Sequence, residues 1–161
     1  MRRILMLHKK QPVFLSQNNS GFTLVELLVA SGLLIIVVTG LLLSYIRALE
    51  LNEISRNSSI AVQAGRTRMD TIKNTAFDQV KATYNNVTFN IGGLNGKGIS
   101  YVDDTNPKLL KITIPISWKQ KNGRLFGEDA DLDGVLDAGE DKNANGLLSS
   151  PVEIVDYLFE R

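Results

Sequence analysis

Cysteine is absent from this 161-residue sequence, and histidine occurs once, as His8. Without cysteine there is neither a disulfide framework nor a thiolate metal site, so stability must come from packing, oligomerisation or a hard cation. With its one imidazole near the start, the rest of the chain has no His or Cys for nucleophilic or general-base chemistry, and no phosphate-binding glycine loop is present. An enzyme is therefore a poor reading. Excess positive charge is also missing. The 18 bases nearly balance the 17 acids, and the first 20 residues hold Arg2, Arg3, Lys9 and Lys10 with no acid. The remainder, with 14 bases against 17 acids, is mildly acidic, which argues against nucleic-acid binding. No repeat of solenoid length is present.

What the sequence does have is a long apolar run. From Leu27 to Ile46 there are 20 consecutive uncharged residues, enough at about 1.5 Å per residue to span a hydrocarbon core of about 30 Å. A secretory signal peptide is excluded by length, since its apolar region is about 7 to 15 residues. The basic leader places the N-terminus in the cytoplasm by the positive-inside rule, with the C-terminal part outside. Glu26 sits just before this run, five residues into the mostly apolar stretch from Phe22 to Ile46, and a carboxylate in hydrocarbon costs roughly 2.5 to 3.5 kcal/mol.

Beyond the run, the segment 47–83 contains no proline. Leu51, Ile54, Ser58, Ala61, Gly65, Met69, Ile72, Ala76 and Val80 recur at spacings of three and four, which predicts one face of an amphipathic helix continuing the apolar one. The small Ala61 and Gly65 allow a sheet to approach closely. From Tyr84 the period becomes two: Val87, Phe89 and Ile91; then Ile99 and Tyr101; then Leu110, Ile112, Ile114, Ile116 and Trp118. Gly92-Gly93, Asn95-Gly96, Asn106-Pro107 and Asn122-Gly123 supply turns. Pro115 points to an edge strand or a bulge. The final "PVEIVDYLFER" predicts another strand, apolar on both parities and so covered on both sides. The fold class is α+β: a long N-terminal helix packed on a small antiparallel sheet. Its segments are a leader over 1–21, a membrane helix over 22–46, an amphipathic extension over 47–83, and a sheet part over 84–161 that includes an acidic loop at 127–150.

The stretch "GFTLVELLVA" resembles the class III signal of type IV pilins and type II secretion pseudopilins. The resemblance extends to the plan of basic leader, apolar helix, amphipathic extension and small sheet. It implies that a prepilin peptidase cleaves after Gly21, that Phe22 becomes an N-methylated N-terminus, and that Glu26 is the acid used in assembly. A neighbouring subunit's Glu26 would neutralise the Phe22 ammonium, since burying a matched pair costs less than burying either charge alone. It further implies a pilin fold, a place in the bacterial inner membrane and then in a filament, and partners that are other pilin or pseudopilin subunits.

The second motif lies in the acidic loop. Seven acids fall between Glu128 and Asp141 with no base among them. Counting Asp129 as the first position of a twelve-residue calcium loop, Asp131 is third, Asp133 fifth, Gly134 sixth, Val135 seventh, Asp137 ninth and Glu140 twelfth. Each matches the EF-hand template: three side-chain ligands, a sharp turn, the Val135 carbonyl, a direct or water-mediated Asp137, and a bidentate Glu140. Asp141, Asn143, Asn145 and Gly146 restart the pattern as a possible additional metal site, but Val152 stands at its twelfth position. The flanks do not read as helices, so the expectation is a Ca2+ loop inserted between strands. Together these features predict a minor pilin or pseudopilin subunit. The alternative is a single-pass, membrane-anchored, calcium-dependent binding or adhesion module outside any filament.

Overall fold

The computed structural model describes residues 21–160. Except for Gly21, the leader expected over 1–21 lies outside the described residues. Residues up to Ser44 and residues from Tyr45 onward form two units, although one helix, α1 (Leu24–Lys73, 50 residues), runs through both. The absence of proline allows this length, and Ala, Leu and Ile supply helix-compatible side chains.

In the first unit every described side chain is exposed in the single chain. Leu27, Leu34, Ile35 and Leu41 thus present an apolar surface that water does not favour. Two hydroxyls within the run are satisfied internally: Ser31 Oγ donates to the Leu28 carbonyl at 2.9 Å and Thr39 Oγ1 to that of Ile35 at 2.8 Å. The stretch is long and apolar enough to cross a membrane.

In the second unit α1 buries Asn57, Ala61, Gly65, Met69 and Ile72, a stripe spaced by four, four, four and three. This is the expected face from Ala61 onward. Upstream the expectation fails, because Leu51 is exposed and Ile54 and Ser58 are only half-buried. The helix also does not run to Thr83. It stops at Lys73, where Thr75 N–H turns back to the Ile72 carbonyl at 3.0 Å and Ala76 adopts an extended φ of −59° and ψ of 136°. A second helix, α2 (Phe77–Tyr84), follows. Asn74 and Thr75 are weak helix formers, and the break carries Val80 into the core while Ala76 stays exposed.

Five strands form the sheet: β1 (Val87–Asn90), β2 (Gly96–Asn106), β3 (Leu109–Lys119), β4 (Leu125–Phe126) and β5 (Glu153–Phe159). All pairings are antiparallel, in the order β1-β2-β3-β4, with β5 also paired to β3. β4 meets the end of β3 at Trp118↔Phe126, while β5 covers Leu109 to Pro115. Leu110, Ile112, Ile114, Ile116 and Trp118 all face the main core with Val102, Met69, Ile72 and Val80. Each fully buried aliphatic here is worth about 1.5 to 3 kcal/mol. Trp118 stacks on Phe126 with ring centroids 5.0 Å apart. Gly65 earns its place by proximity: a Cβ there would lie 2.7 Å from Ile154 Cγ1 and 3.0 Å from Ile116 Cδ1.

One strand expectation holds with an unexpected layer, and two change. Ile99 and Tyr101 do share a face, but it is the face opposite the helix, where they join Leu136, Leu147 and Leu148 in a second small cluster. Pro115 lies in the central strand, neither at an edge nor in a bulge. Ile116 N–H donates to the Val152 carbonyl at 3.0 Å, so the neighbouring Pro115 nitrogen points toward β2. There the β2–β3 ladder passes from Gly98↔Ile116 to Tyr101↔Thr113 in constant register with no pair between. The missing donor is absorbed by a gap in the ladder. Finally, β5 is covered on one side only: Ile154 and Leu158 pack inward, whereas Val155, Tyr157 and Phe159 are 43, 48 and 65% exposed.

Lys73 ties the end of α1 to β5 through an ion pair with Asp156. The Lys73 ammonium and the Tyr157 N–H hold the Asp156 carboxyl below its usual range. A depressed carboxylate stabilises above its unfolded pKa and loses that contribution as pH falls through the folded value. Asp156→Asn should therefore flatten the acid limb of a stability–pH curve by no more than about 1 kcal/mol, because the pair is partly exposed. Ile114→Ala should cost about 2 to 5 kcal/mol in urea unfolding, as large-to-small changes at fully buried sites do.

Candidate functional sites: the N-terminal segment and the acidic loop

Gly21 and Phe22 precede the first turn of α1, and Phe22 is 90% exposed. Thr23 caps the helix. Its Oγ1 accepts from Glu26 N–H at 3.2 Å, while Glu26 Oε2 accepts from both Thr23 N–H and Thr23 Oγ1–H at 2.9 Å. This reciprocal pair is a capping box, with Glu26 in the third helical position. A negative charge there also meets the positive end of the helix dipole. Within one chain Glu26 thus has local partners that use one carboxylate oxygen.

The acidic loop leaves β4 and returns into β5, two strands that share one edge of β3. It folds over the sheet face opposite the helix. Leu136, Leu147 and Leu148 pack on Ile99 and Tyr101, and Leu148 N–H donates to Tyr101 Oη at 3.0 Å. Lys97 Nζ donates to the Asp133 carbonyl at 3.1 Å. Gly134 has a φ of +78° and lies so close to Thr88 that a Cβ would collide with its methyl.

Within the loop, Asp129, Asp131 and Asp133 each bring a carboxylate oxygen within 4.8 Å of the others. Asp129 is 2% exposed and accepts from Asp133 N–H at 3.1 Å and Gly134 N–H at 3.0 Å. Asp131 accepts from Asp133 N–H, and Asp133 accepts from Val135 N–H at 2.7 Å. Glu140, also buried, accepts from Ala130 N–H at 2.6 Å and Asp137 N–H at 3.1 Å. Glu140 and Asp137 stand outside the three-carboxylate group, and the residue Asp137 is exposed. Downstream, Asp141 accepts from Asn145 N–H at 2.9 Å and Gly146 N–H at 2.8 Å, and Asn143 accepts from Asn145 N–H at 3.0 Å. Burial pushes the Asp129 carboxyl up and the Glu140 charge adds to this, against the hydrogen bond from Gly134 N–H. Tyr101 beneath the loop is also raised, first by burial, with the charges of Asp129 and Glu128 contributing. Asp129 is buried while Asp131 and Asp133 are exposed, and the three carboxylates stand close enough together that they could hold a metal ion.

Residues 16–42 match the family model of the prokaryotic N-terminal methylation motif. The match takes in the start of α1, from Leu24 to Leu42. The chain fits a type IV pilin-like protein. The motif points to a structural subunit and implies processing by a prepilin peptidase and assembly with other pilins, and the apolar helix is compatible with membrane anchoring. No curated protein and no solved structure matches the chain.

Two residues of these sites do not stand out in the sequence. Thr23 was legible in principle, since T-x-x-E before an apolar run is a capping-box signature. Glu128 precedes the calcium template and so escaped it, yet it is buried and accepts from Lys142 N–H at 3.2 Å and Ser149 N–H at 2.8 Å. Gly134→Ala should lower the melting temperature of the Tyr45–Arg161 unit, with a cost of at least about 1 kcal/mol from the left-handed backbone alone. The collision with Thr88 adds to it, and differential scanning calorimetry reads the sum.

Proposed function

We propose that this chain is a minor pilin or pseudopilin subunit of a type IV pilus or type II secretion filament, a structural component and not an enzyme. The observation that carries the reading is the methylation motif at 16–42 together with the 50-residue helix Leu24–Lys73. The prepilin peptidase cuts after Gly21, and Phe22 becomes the methylated N-terminus. The apolar helix holds the subunit in the inner membrane, N-terminus cytoplasmic and sheet part periplasmic, and then packs against neighbouring helices in the filament. Exposed leucines and isoleucines from Leu24 to Ile46 support this, because lipid or another helix must cover them. Glu26 pairs with the Phe22 ammonium of an adjacent subunit, and the second carboxylate oxygen left free by the capping box is available for it.

The capping box gives the assembly test a control. Glu26→Ala removes both cap and charge, whereas Thr23→Ala removes the cap, at about 0.5 to 2 kcal/mol, and keeps the charge. Fractionation of cells should show Glu26→Ala retained in the membrane but lost from sheared filaments, with Thr23→Ala still incorporated. Equal incorporation of Glu26→Ala and the wild type would mark an anchored module instead.

The loop binds calcium through Asp129, Asp131, Asp133, the Val135 carbonyl, Asp137 and Glu140, with an affinity of about 10⁻⁴ to 10⁻⁵ M. The ion offsets the buried charge of Asp129 and Glu140 and fixes the route into β5. Magnesium suits the loop less well, since it favours fewer protein ligands. Thermal unfolding in calcium should occur at a higher temperature than in chelator, by about 2.7 kcal/mol of added stability at a hundredfold excess over Kd. Coincident melts would sink the calcium reading without touching the filament reading.

A further inference from the structure

Residues 128–151 read EDADLDGVLDAG and then EDKNANGLLSSP. Offset by twelve, Glu128 aligns with Glu140, Asp129 with Asp141, Gly134 with Gly146 and Leu136 with Leu148. The backbone repeats as well: φ is +63° at Leu132 and +56° at Ala144, then +78° at Gly134 and +75° at Gly146.

The glutamates close the pattern in a way the linear template does not show. Glu140 donates its N–H to the Asp137 carbonyl at 3.1 Å and accepts, through its two oxygens, from Ala130 and Asp137. Glu128 repeats all three contacts on the other loop. Its N–H reaches the Ser149 carbonyl at 2.9 Å, Oε1 accepts from Lys142 and Oε2 from Ser149. Lys142 and Ser149 lie twelve residues after Ala130 and Asp137. The acid missing from the second loop's twelfth place, where Val152 sits, therefore comes from the residue that precedes the first loop.

A separate observation concerns charge. Glu128 and Glu140 are 9 and 7% exposed. The ion pairs among the described residues, Arg47–Glu50, Lys73–Asp156 and Lys81–Asp104, leave both without a basic partner. Backbone N–H groups satisfy their hydrogen bonding but carry no net charge, and a buried carboxylate without a counter-ion is heavily penalised. Each of these glutamates accepts from N–H groups of one of the two loops, and a cation in that loop would supply the counter-charge.

We propose that residues 128–151 hold two divalent cations, one per loop, with Glu128 completing the second. The inference rests on the reading of the first loop as a calcium site. The first site uses Asp129, Asp131, Asp133 and Glu140. The second uses Asp141, Asn143, Asn145 and Glu128. With two amides in place of two carboxylates, the second site is the weaker, because ligand charge count sets affinity. The sites are coupled through the chain, since Glu128 is bonded to Asp129 and Glu140 to Asp141. An ion that fixes either glutamate fixes the first ligand of the other loop.

Calcium alone, titrated by isothermal calorimetry into the full chain in a non-ionic detergent after stripping with chelator, counts the ions. Two equivalents are expected for the wild type. Glu128→Gln and Asp141→Asn, thirteen positions apart, should each leave one, and Glu153→Gln, exposed and outside the repeat, should leave two. One equivalent in the wild type overturns the two-site arrangement and leaves the first-loop reading intact, whereas none removes both. Two equivalents in Glu128→Gln overturn the role given to Glu128. Because the wild-type count needs no variant, a substitution that fails to fold does not blunt the test.

Discussion

The close approach of β3 and β5 to the small-residue stripe of α1 is the contact on which the folded unit depends. Gly65 has no room for a side chain beside Ile154 and Ile116, and Ala61 is fully buried on the same stripe. That proximity sets β3 against the helix along its isoleucine row. Since β3 pairs with β2, β4 and β5, everything else is positioned from it. The acidic loop lies where it does because β4 and β5 share one edge of β3, so the intervening chain must leave and return on that side. The face of β2 turned away from the helix is then covered by the loop's leucines, which makes the loop part of the packing.

The two candidate sites treat buried or costly carboxylates by the same physics. A carboxylate away from bulk water needs donors first and a counter-charge second. Glu26 finds donors in Thr23, and Asp129, Glu128 and Glu140 find them in backbone N–H groups. In both places hydrogen-bond donors come from the same chain, and among the described residues no ion pair includes Glu26, Glu128, Asp129 or Glu140. In the functional reading proposed above, the counter-charge comes from a second subunit in the first case and from a cation in the second.

Much of this was legible in the sequence for identifiable reasons. The apolar run, the period-two row from Leu110 to Trp118 and the small stripe at Ala61 and Gly65 carry their signal in local spacing, and the structure follows them. Pro115 misled because its meaning depends on which neighbour its nitrogen faces, which only the register with β2 decides. The break at Asn74 to Ala76 was hidden because no Gly or Pro marks it, and it is the burial of Val80 that favours it. Ile99 and Tyr101 were placed on the right face as a pair, but which layer they met could not be read until the loop was seen to cover the back of the sheet. Glu128 was missed for a topological reason: its partners, Lys142 and Ser149, follow in the chain, whereas the twelve-residue template assumes the closing acid comes last.

The shared edge of β3 also has a kinetic meaning. β5 is the last strand, and 26 residues separate Phe126 from Glu153. Its docking must await closure of that long connection, whose entropic cost rises with the logarithm of its length. The contacts from Glu128 to Lys142 and Ser149 pinch the connection near its base, leaving only a handful of residues to be closed by the strand itself. By loop-closure scaling this pre-closure is worth roughly 1 to 1.5 kcal/mol of the barrier to docking β5. Formed before β5 docks, these contacts would act as a clasp, a reversible counterpart in a cysteine-free sequence to a covalent cross-link.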